Sequence, residues 1–306
     1  MITEIPDFAD FQHQGIAFLN LAWDSVFSLV LRLEDASQWH AVDSAAVSEK
    51  YWDAAEHALA TSMALAHQGT EFLIKSHIAE VSPYLLLSVR EWKKKWSEED
   101  TPFSAFYTVD TQDLVRLHNV VAKNKLPEDF VRQFESLRAL RNTITHTVDR
   151  NLKLTVKEII MAVLFGIKHL VRDNDWISLR RNWLEGQPYS VAFDVESGED
   201  YLIAKEMKFI IDWLSPAEML TFFDFDKKRR RYICDNCSKS SEVDAQFRIE
   251  SALLSPNTPE STTVHCFVCG QDSVVVRQRC PNCKGNVIDP EWSECLSCGR
   301  QVDVVT

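Results

Sequence analysis

Across residues 1–173 apolar positions return every three or four residues, and candidate helices cover roughly 8–34, 43–80, 83–96, 110–123, 127–147 and 154–172. Breakers separate them: Pro83, the Thr101-Pro102 pair, Pro127 in a first helical turn, and Asp149-Arg150-Asn151 ahead of Thr155. With only Gly15, Gly69 and Gly166 in this stretch, the pattern predicts an α-helical bundle. Residues 174–226 are mixed, with turn signals at Gly186-Gln187-Pro188 and Ser197-Gly198 and aromatics at Trp213, Phe222, Phe223 and Phe225. They read as a connecting segment packed on the bundle. Residues 227–306 turn to Cys, Ser, Thr, Val and turn formers. The expected fold class is mainly α, a helical bundle followed by a small β-rich module stapled by metal.

Charge changes that picture little for the bundle and more for the tail. The chain carries 33 basic and 45 acidic side chains, net −12, with 45% hydrophobic residues. That composition excludes bulk disorder and collagen-like or membrane-embedded classes. The most apolar stretches, 18–33 and 159–171, contain Asp24 and Lys168 and fall short of a clean span of about 20 residues, so they are expected as buried helices with no membrane partner. The acidic start MITEIPDFADFQ lacks the basic region of an export signal, and a cytoplasmic location is expected. Residues 1–226 hold 22 basic against 35 acidic side chains, while 227–306 hold 11 against 10. A pI near 5.2 disfavours bulk attraction to nucleic acid, so such a contact must be local. Five cations sit together at Lys227, Lys228, Arg229, Arg230 and Arg231, beside Tyr232, as a nucleic-acid patch or a solvated hinge. A second local cluster, Lys93, Lys94 and Lys95 between Trp92 and Trp96, reads as a single-strand clamp or as a solvated helix end.

All eight cysteines fall in four C-x-x-C pairs: Cys234/Cys237, Cys266/Cys269, Cys280/Cys283 and Cys295/Cys298. Two intervening residues let a tight turn aim both sulfurs at one tetrahedral ion, and Gly270, Gly285 and Gly299 suit such turns. A disulfide framework needs an oxidising compartment, and a redox C-x-x-C normally sits in a βαβ setting that this pattern lacks. Two structural zinc ions are expected, with no catalytic metal, because sets of four sulfurs leave no open coordination position. Sequential pairing, across loops of 28 and 11 residues, is preferred over the alternatives. The run CPNCKGNVIDPEWSECLSCG resembles a compact zinc ribbon, and the whole tail a double one. Ribbons bind nucleic acid, bind proteins or cap a neighbouring domain.

The remaining chemistry lies in LPEDFVRQFESLRALRNTITHT, where Phe130, Phe134, Leu137, Leu140 and Ile144 define one stripe expected to be buried. Arg141 belongs to it, about 20° around the helix from Phe130. An unpaired guanidinium is costly to bury, so Arg141 is expected to meet Glu71 or another acid, or to face a polar cleft. His146 falls in the last turn, where the helix dipole favours a cation, and reads as a proton shuttle or a solvated capping residue. His57, His67 and His77, at steps of ten, spread around their helix and form no metal site.

Arg141-Asn142 followed by His146 at the end of a bundle helix resembles the signature of the HEPN superfamily, and Glu71 and Lys75, one turn apart, resemble the acidic-then-basic pair of many such domains. The likeness covers roughly residues 10–172. It implies a HEPN-like bundle acting as a metal-independent endoribonuclease, typically a toxin or defence effector, in which two protomers form a homodimer and join both motifs in one cleft. Arg141 would hold the RNA phosphate, Asn142 would orient RNA or histidine, and His146 would move protons. An antitoxin or regulatory protein is a further partner implied. Val148 stands where some relatives carry a modified tyrosine, so that form of regulation is not carried over. The competing reading is a non-catalytic module in which the bundle dimerises, Arg141 is structural, and the ribbons bind nucleic acid or protein. A metalloenzyme is disfavoured by the closed sulfur sites.

Overall fold

A computed structural model describes residues 1–39, 44–88, 100–146, 152–172, 175–187, 198–239 and 246–303. The chain divides into two compact units, Met1–Trp176 and Ile177–Thr306. The first is helical: α1 (Phe8–Trp39), α2 (Ser44–Ala54), α3 (Glu56–Val81), α4 (Thr111–Val121), α5 (Glu128–His146) and α6 (Val156–Leu170). β1 (Ile2–Thr3) pairs in parallel with β2 (Thr101–Pro102) at its edge. The stretch expected as one helix over 43–80 breaks at Ala55, whose N–H is shared between the Tyr51 and Trp52 carbonyls, a local tightening of the turn. α3 ends at Val81 because a residue before proline avoids helical geometry: Ser82 is extended and Pro83–Leu86 is a single 3-10 turn. Of the helix expected over 83–96, residues 89–96 lie outside the described residues, and with them Lys93, Lys94 and Lys95.

The three bundle glycines lie where helices come close. A Cβ on Gly69 would stand 2.8 Å from the Gly15 carbonyl oxygen, and one on Gly15 3.0 Å from that of Gly69, so α1 and α3 approach backbone to backbone only because both lack side chains. Around this crossing Leu19, Trp23, Phe27, Leu73, Ile74, Val163 and Ile167 are buried. Within Phe8–Ala36 of α1 an 18-residue window reaches a mean hydropathy of 1.5, long and apolar enough to cross a membrane by length and composition. The core helix of a bundle has the same property, and the inner face of α1 packs along α3 and α6.

The second unit begins with α7 (Trp176–Glu185), α8 (Gly198–Trp213) and α9 (Pro216–Phe223), the last started by a Ser215–Glu218 capping box with proline in the first turn. Arg180 and Glu206 face each other at its centre, each 1% exposed, with Nε to Oε2 at 3.1 Å and Nη2 to Oε1 at 2.8 Å. After the short α10 (Asp235–Lys239), β3 (Ala252–Leu254), β4 (Thr263–Cys266) and β5 (Asp272–Val274) form an antiparallel sheet, with Leu253 opposite His265 and Val264 opposite Ser273. A separate hairpin joins β6 (Ile288–Asp289) to β7 (Glu294–Cys295). The fold class is thus mainly α with a small β-rich module at the C-terminus.

Candidate metal centres and the end of α5

The eight thiols gather into two groups. Cys234, Cys237, Cys266 and Cys269 form one and Cys280, Cys283, Cys295 and Cys298 the other, with all four sulfurs of each within 4.8 Å of one another. Cys234 and Cys237 flank the start of α10, Cys266 ends β4 and Cys295 ends β7. Sequential pairing is therefore the arrangement formed. Sulfurs stand 3.7 Å apart for Cys234–Cys269, Cys237–Cys266 and Cys283–Cys295, and 3.9 Å for Cys280–Cys298. Bonds of about 2.3 Å to a tetrahedral ion place sulfurs about 3.8 Å apart, whereas a disulfide needs about 2.05 Å. The spacing fits a shared ion.

The local backbone supports sulfur as a charged ligand. The N–H groups of Val268, Asn282 and Gly285 donate to the sulfurs of Cys266, Cys280 and Cys283 at 3.3, 3.3 and 3.2 Å, and Ser251 Oγ lies 3.1 Å from Cys266 Sγ. The turns close with Gly270 and Gly299 at φ +69° and +68°, a conformation that L side chains rarely adopt. By themselves the four packed thiols cannot all ionise. Hydrogen bonds from Cys234, Cys237 and Cys269 hold the Cys266 thiol far below its usual range, while the Cys234 contact pushes Cys237 far above it. A cation at the centre removes that conflict.

At the end of α5 the expected burial holds for only two turns. Phe130 and Phe134 are buried, but Leu137, Leu140, Arg141, Asn142 and Ile144 are half-buried and His146 is exposed. The ring of Phe134 stacks on His67 of α3 at 5.3 Å, and Phe130 stacks on Phe165 of α6 at 5.7 Å, so the start of α5 is clamped between two helices while its end keeps partial contact with solvent. The stripe as read from sequence is too long by its last three members, because periodicity shows which face is apolar but not how far a neighbour extends along it.

Arg141 Nη1 donates to Asn142 Oδ1 at 3.2 Å, and Thr145 Oγ1 donates to the Arg141 carbonyl at 2.8 Å. Of the described acids, Glu71 and Glu135, which surround His67 together with Arg141, hold other partners. Glu71 bonds Lys75 at 2.7 Å and accepts from Thr111 at 2.8 Å, and Glu135 bonds Arg138 at 2.7 Å. Burial opposes ionisation of Glu71, yet the Lys75 ammonium and the hydrogen bonds from Lys75 and Thr111 hold its pKa below the usual carboxylate value. Lys75 also donates to Thr108 at 3.2 Å. Glu71 and Lys75 are thus a buried pair between α3 and the segment leading to α4. On the helix, five residues separate Arg141 from His146, about 140° and about 7.5 Å, so the two side chains of one chain leave the cylinder on different faces.

His67 is the side chain that sequence reasoning undervalued. It is 1% exposed, neither ring nitrogen has a hydrogen-bond partner, and burial pushes its pKa down to about 4, with Glu71 opposing and then Arg141 and Arg138 adding to the fall. The field of Arg141 therefore reaches the core. No helical-wheel argument over α3 alone marks His67, since its surroundings come from α5.

The basic run is largely engaged. Lys227 donates to the carbonyls of Ile211 and Leu214 at the end of α8, Arg229 to that of Leu254, and Arg231 pairs with Glu250 at 3.1 Å. Lys228 and Arg230 are exposed; Arg230 reaches Ser297 Oγ at 3.2 Å and lies over the Tyr232 ring. Val148 lies outside the described residues.

Fold and sites together define a mainly helical protein whose C-terminal region carries two four-cysteine centres compatible with zinc ribbons. Compared with family models, curated proteins and solved structures, the chain matches none of them.

Proposed function

We propose that the protein is a metal-independent endoribonuclease of the HEPN type, a toxin or defence effector working as a cytoplasmic homodimer. The observation that carries this reading is Arg141: half-buried, bonded to Asn142, and with no carboxylate paired to it among the described residues, Glu71 and Glu135 being held by Lys75 and Arg138. A guanidinium so placed is suited to a phosphodiester, which it binds through paired, charge-assisted hydrogen bonds. Exposed His146, about 140° away on the same helix, completes such a site only from another chain or another segment, which favours a two-fold composite cleft. One imidazole takes the proton of the RNA 2′-hydroxyl, the 2′-oxygen bonds to phosphorus as the bond to the 5′-oxygen breaks, and the second imidazole protonates that leaving oxygen. Arg141 stabilises the charge on phosphorus and Asn142 orients the guanidinium.

Each four-cysteine group holds a zinc ion in this reading: four soft thiolates in closed tetrahedral geometry match zinc, which supplies folding energy and no reaction step. The ribbons then present Lys228 and Arg230 to RNA or to a regulatory protein. The test is cleavage of a single-stranded RNA in a brief incubation with EDTA, beside its all-deoxy counterpart and the Arg141→Ala and His146→Ala variants, with light scattering on each. The reading requires RNA-only cleavage lost in both variants and a dimer in solution. Equal activity in all three proteins, or a strict monomer that cuts, defeats it.

A further inference from the structure

Away from the end of α5, the helical unit carries a groove of about 400 Å³, a volume suited to a small organic ligand. α3 contributes His77 and Glu80, α4 contributes His118, the loop after it Lys123 and Lys125, and the end of α6 His169 and Arg172. Buried Leu126 and Leu170 give it an apolar floor, with exposed Val81 at its edge. The groove adjoins the start of α5, roughly 20 Å along that helix from Arg141, and the inference is independent of the nuclease reading.

Two imidazoles here form a chain with fixed ends. His77 Nε2 lies 2.8 Å from the Leu170 carbonyl oxygen, so that nitrogen carries a proton. His118 Nδ1 lies 3.2 Å from Asn119 Oδ1, which is an oxygen because it accepts the Leu126 backbone N–H at 2.8 Å, so this nitrogen carries a proton too. Between them His77 Nδ1 and His118 Nε2 stand 3.2 Å apart, close enough to share a third. With the two outer nitrogens protonated the pair is neutral, and a third proton entering between the rings would give it one positive charge. His118 is 2% exposed, so the pair is built into the core rather than decorating the surface.

The charges around the pair are unequal. Glu80 of α3 is bonded to Arg172, whose guanidinium lies over the Phe8 ring that also stacks on His77. Lys123 and Lys125 are exposed at the rim. His169 of α6 feels Asp129 at the start of α5 and Lys168 beside it, both secondary to its burial. Burial, and then the charge of His77 against the Asn119 bond, lowers the proton affinity of His118, so the shared proton is loosely held and an anion would tighten it.

We propose that this groove binds a phosphate monoester of nucleotide size. Lys123 and Lys125 take the dianion, the His77–His118 pair, whose ring nitrogens are all engaged within the chain, sets positive charge behind it, and the apolar side chains take the remainder of the ligand. Entry of the dianion favours the third proton between the two rings, so the site gains one proton on binding.

The test is calorimetric titration of the full chain with adenosine 5′-monophosphate, inorganic phosphate and adenosine, in two buffers of different ionisation enthalpy. The monophosphate should bind more tightly than phosphate, adenosine should not bind, and binding should take up protons near neutral pH. The double variant Lys123→Ala/Lys125→Ala touches only exposed side chains, and it should weaken monophosphate binding by about tenfold or more while leaving thermal unfolding unchanged. His118→Gln should abolish the proton uptake. Equal binding of adenosine and its monophosphate, phosphate binding as tightly as the monophosphate, no saturable binding, or affinity unmoved in the lysine variant overturns the proposal. RNA cleavage is not read in this experiment, so its failure and that of the nuclease reading are separable.

Discussion

The helical unit and the cysteine module solve the same problem with different materials. In Met1–Trp176 long helices cross at paired glycines and bury whole faces of leucine, isoleucine and aromatic side chains. In the module the strands are two to four residues long, and sulfur is built into the packing itself: Cys280 and Cys295 pack with Ile288 and Val302. Where apolar area is plentiful, stability is spread over many contacts and the charged groups inside are refinements. Where it is scarce, a few ligands carry the fold. The two regions should therefore fail under different insults.

The largest effect expected is on the module. Structural zinc in small domains contributes on the order of 10 kcal/mol, so Cys266→Ser, or prolonged chelation, should unfold the β-rich module while helical circular dichroism and amide protection in residues 8–81 persist. Simultaneous loss of both would erase the distinction between the regions. Native mass spectrometry should find two zinc ions in the intact chain and fewer in the variant.

Next come the buried ion pairs, one in each unit. Glu71→Gln removes the carboxylate bonded to Lys75, and Arg180→Met the guanidinium bonded to Glu206; each should cost about 3–5 kcal/mol in denaturant unfolding. The double variant Arg180→Met/Glu206→Leu should recover much of that loss. If it costs as much as the sum of its parts, the pair is not an isolated exchange of charge for apolar packing.

A pH effect of up to about 3 kcal/mol follows from His67. Its folded pKa, about 4, lies below the ordinary value of 6.5, so the unfolded chain binds the proton first as pH falls. Stability is full above pH 6.5 and declines between 6.5 and about 4. His67→Leu should flatten that decline and be neutral or mildly stabilising at pH 7, since neither ring nitrogen has a partner. An unchanged acid limb would mean that the loss lies elsewhere. Smallest is Gly69→Ala, which forces α1 and α3 apart and should cost about 1–3 kcal/mol with no effect on metal content.

Much of this was legible in advance, for identifiable reasons. Helix positions follow from a local period, and proline at 83 and the Thr155–Glu158 capping box are local signals, so α5 and α6 fall within a few residues of where the pattern puts them. C-x-x-C spacing is local too. What the pattern overreached was the burial of Leu137, Leu140 and Ile144, which depends on how far α3 and α6 run beside α5. Arg180 with Glu206 and His77 with His118, 26 and 41 residues apart, carry no spacing signal at all.

The order of residues alone therefore determined the helical character of the first half, the cysteine pairs and the candidate chemistry at Arg141, Asn142 and His146, because backbone period and turn geometry reach only a few residues. Tertiary structure decided which carboxylate answers which cation, which cysteine pairs meet, and how much of Arg141 stays open. Those outcomes depend on charges and surfaces brought together from distant positions, where desolvation is costly and the partner that arrives sets the balance.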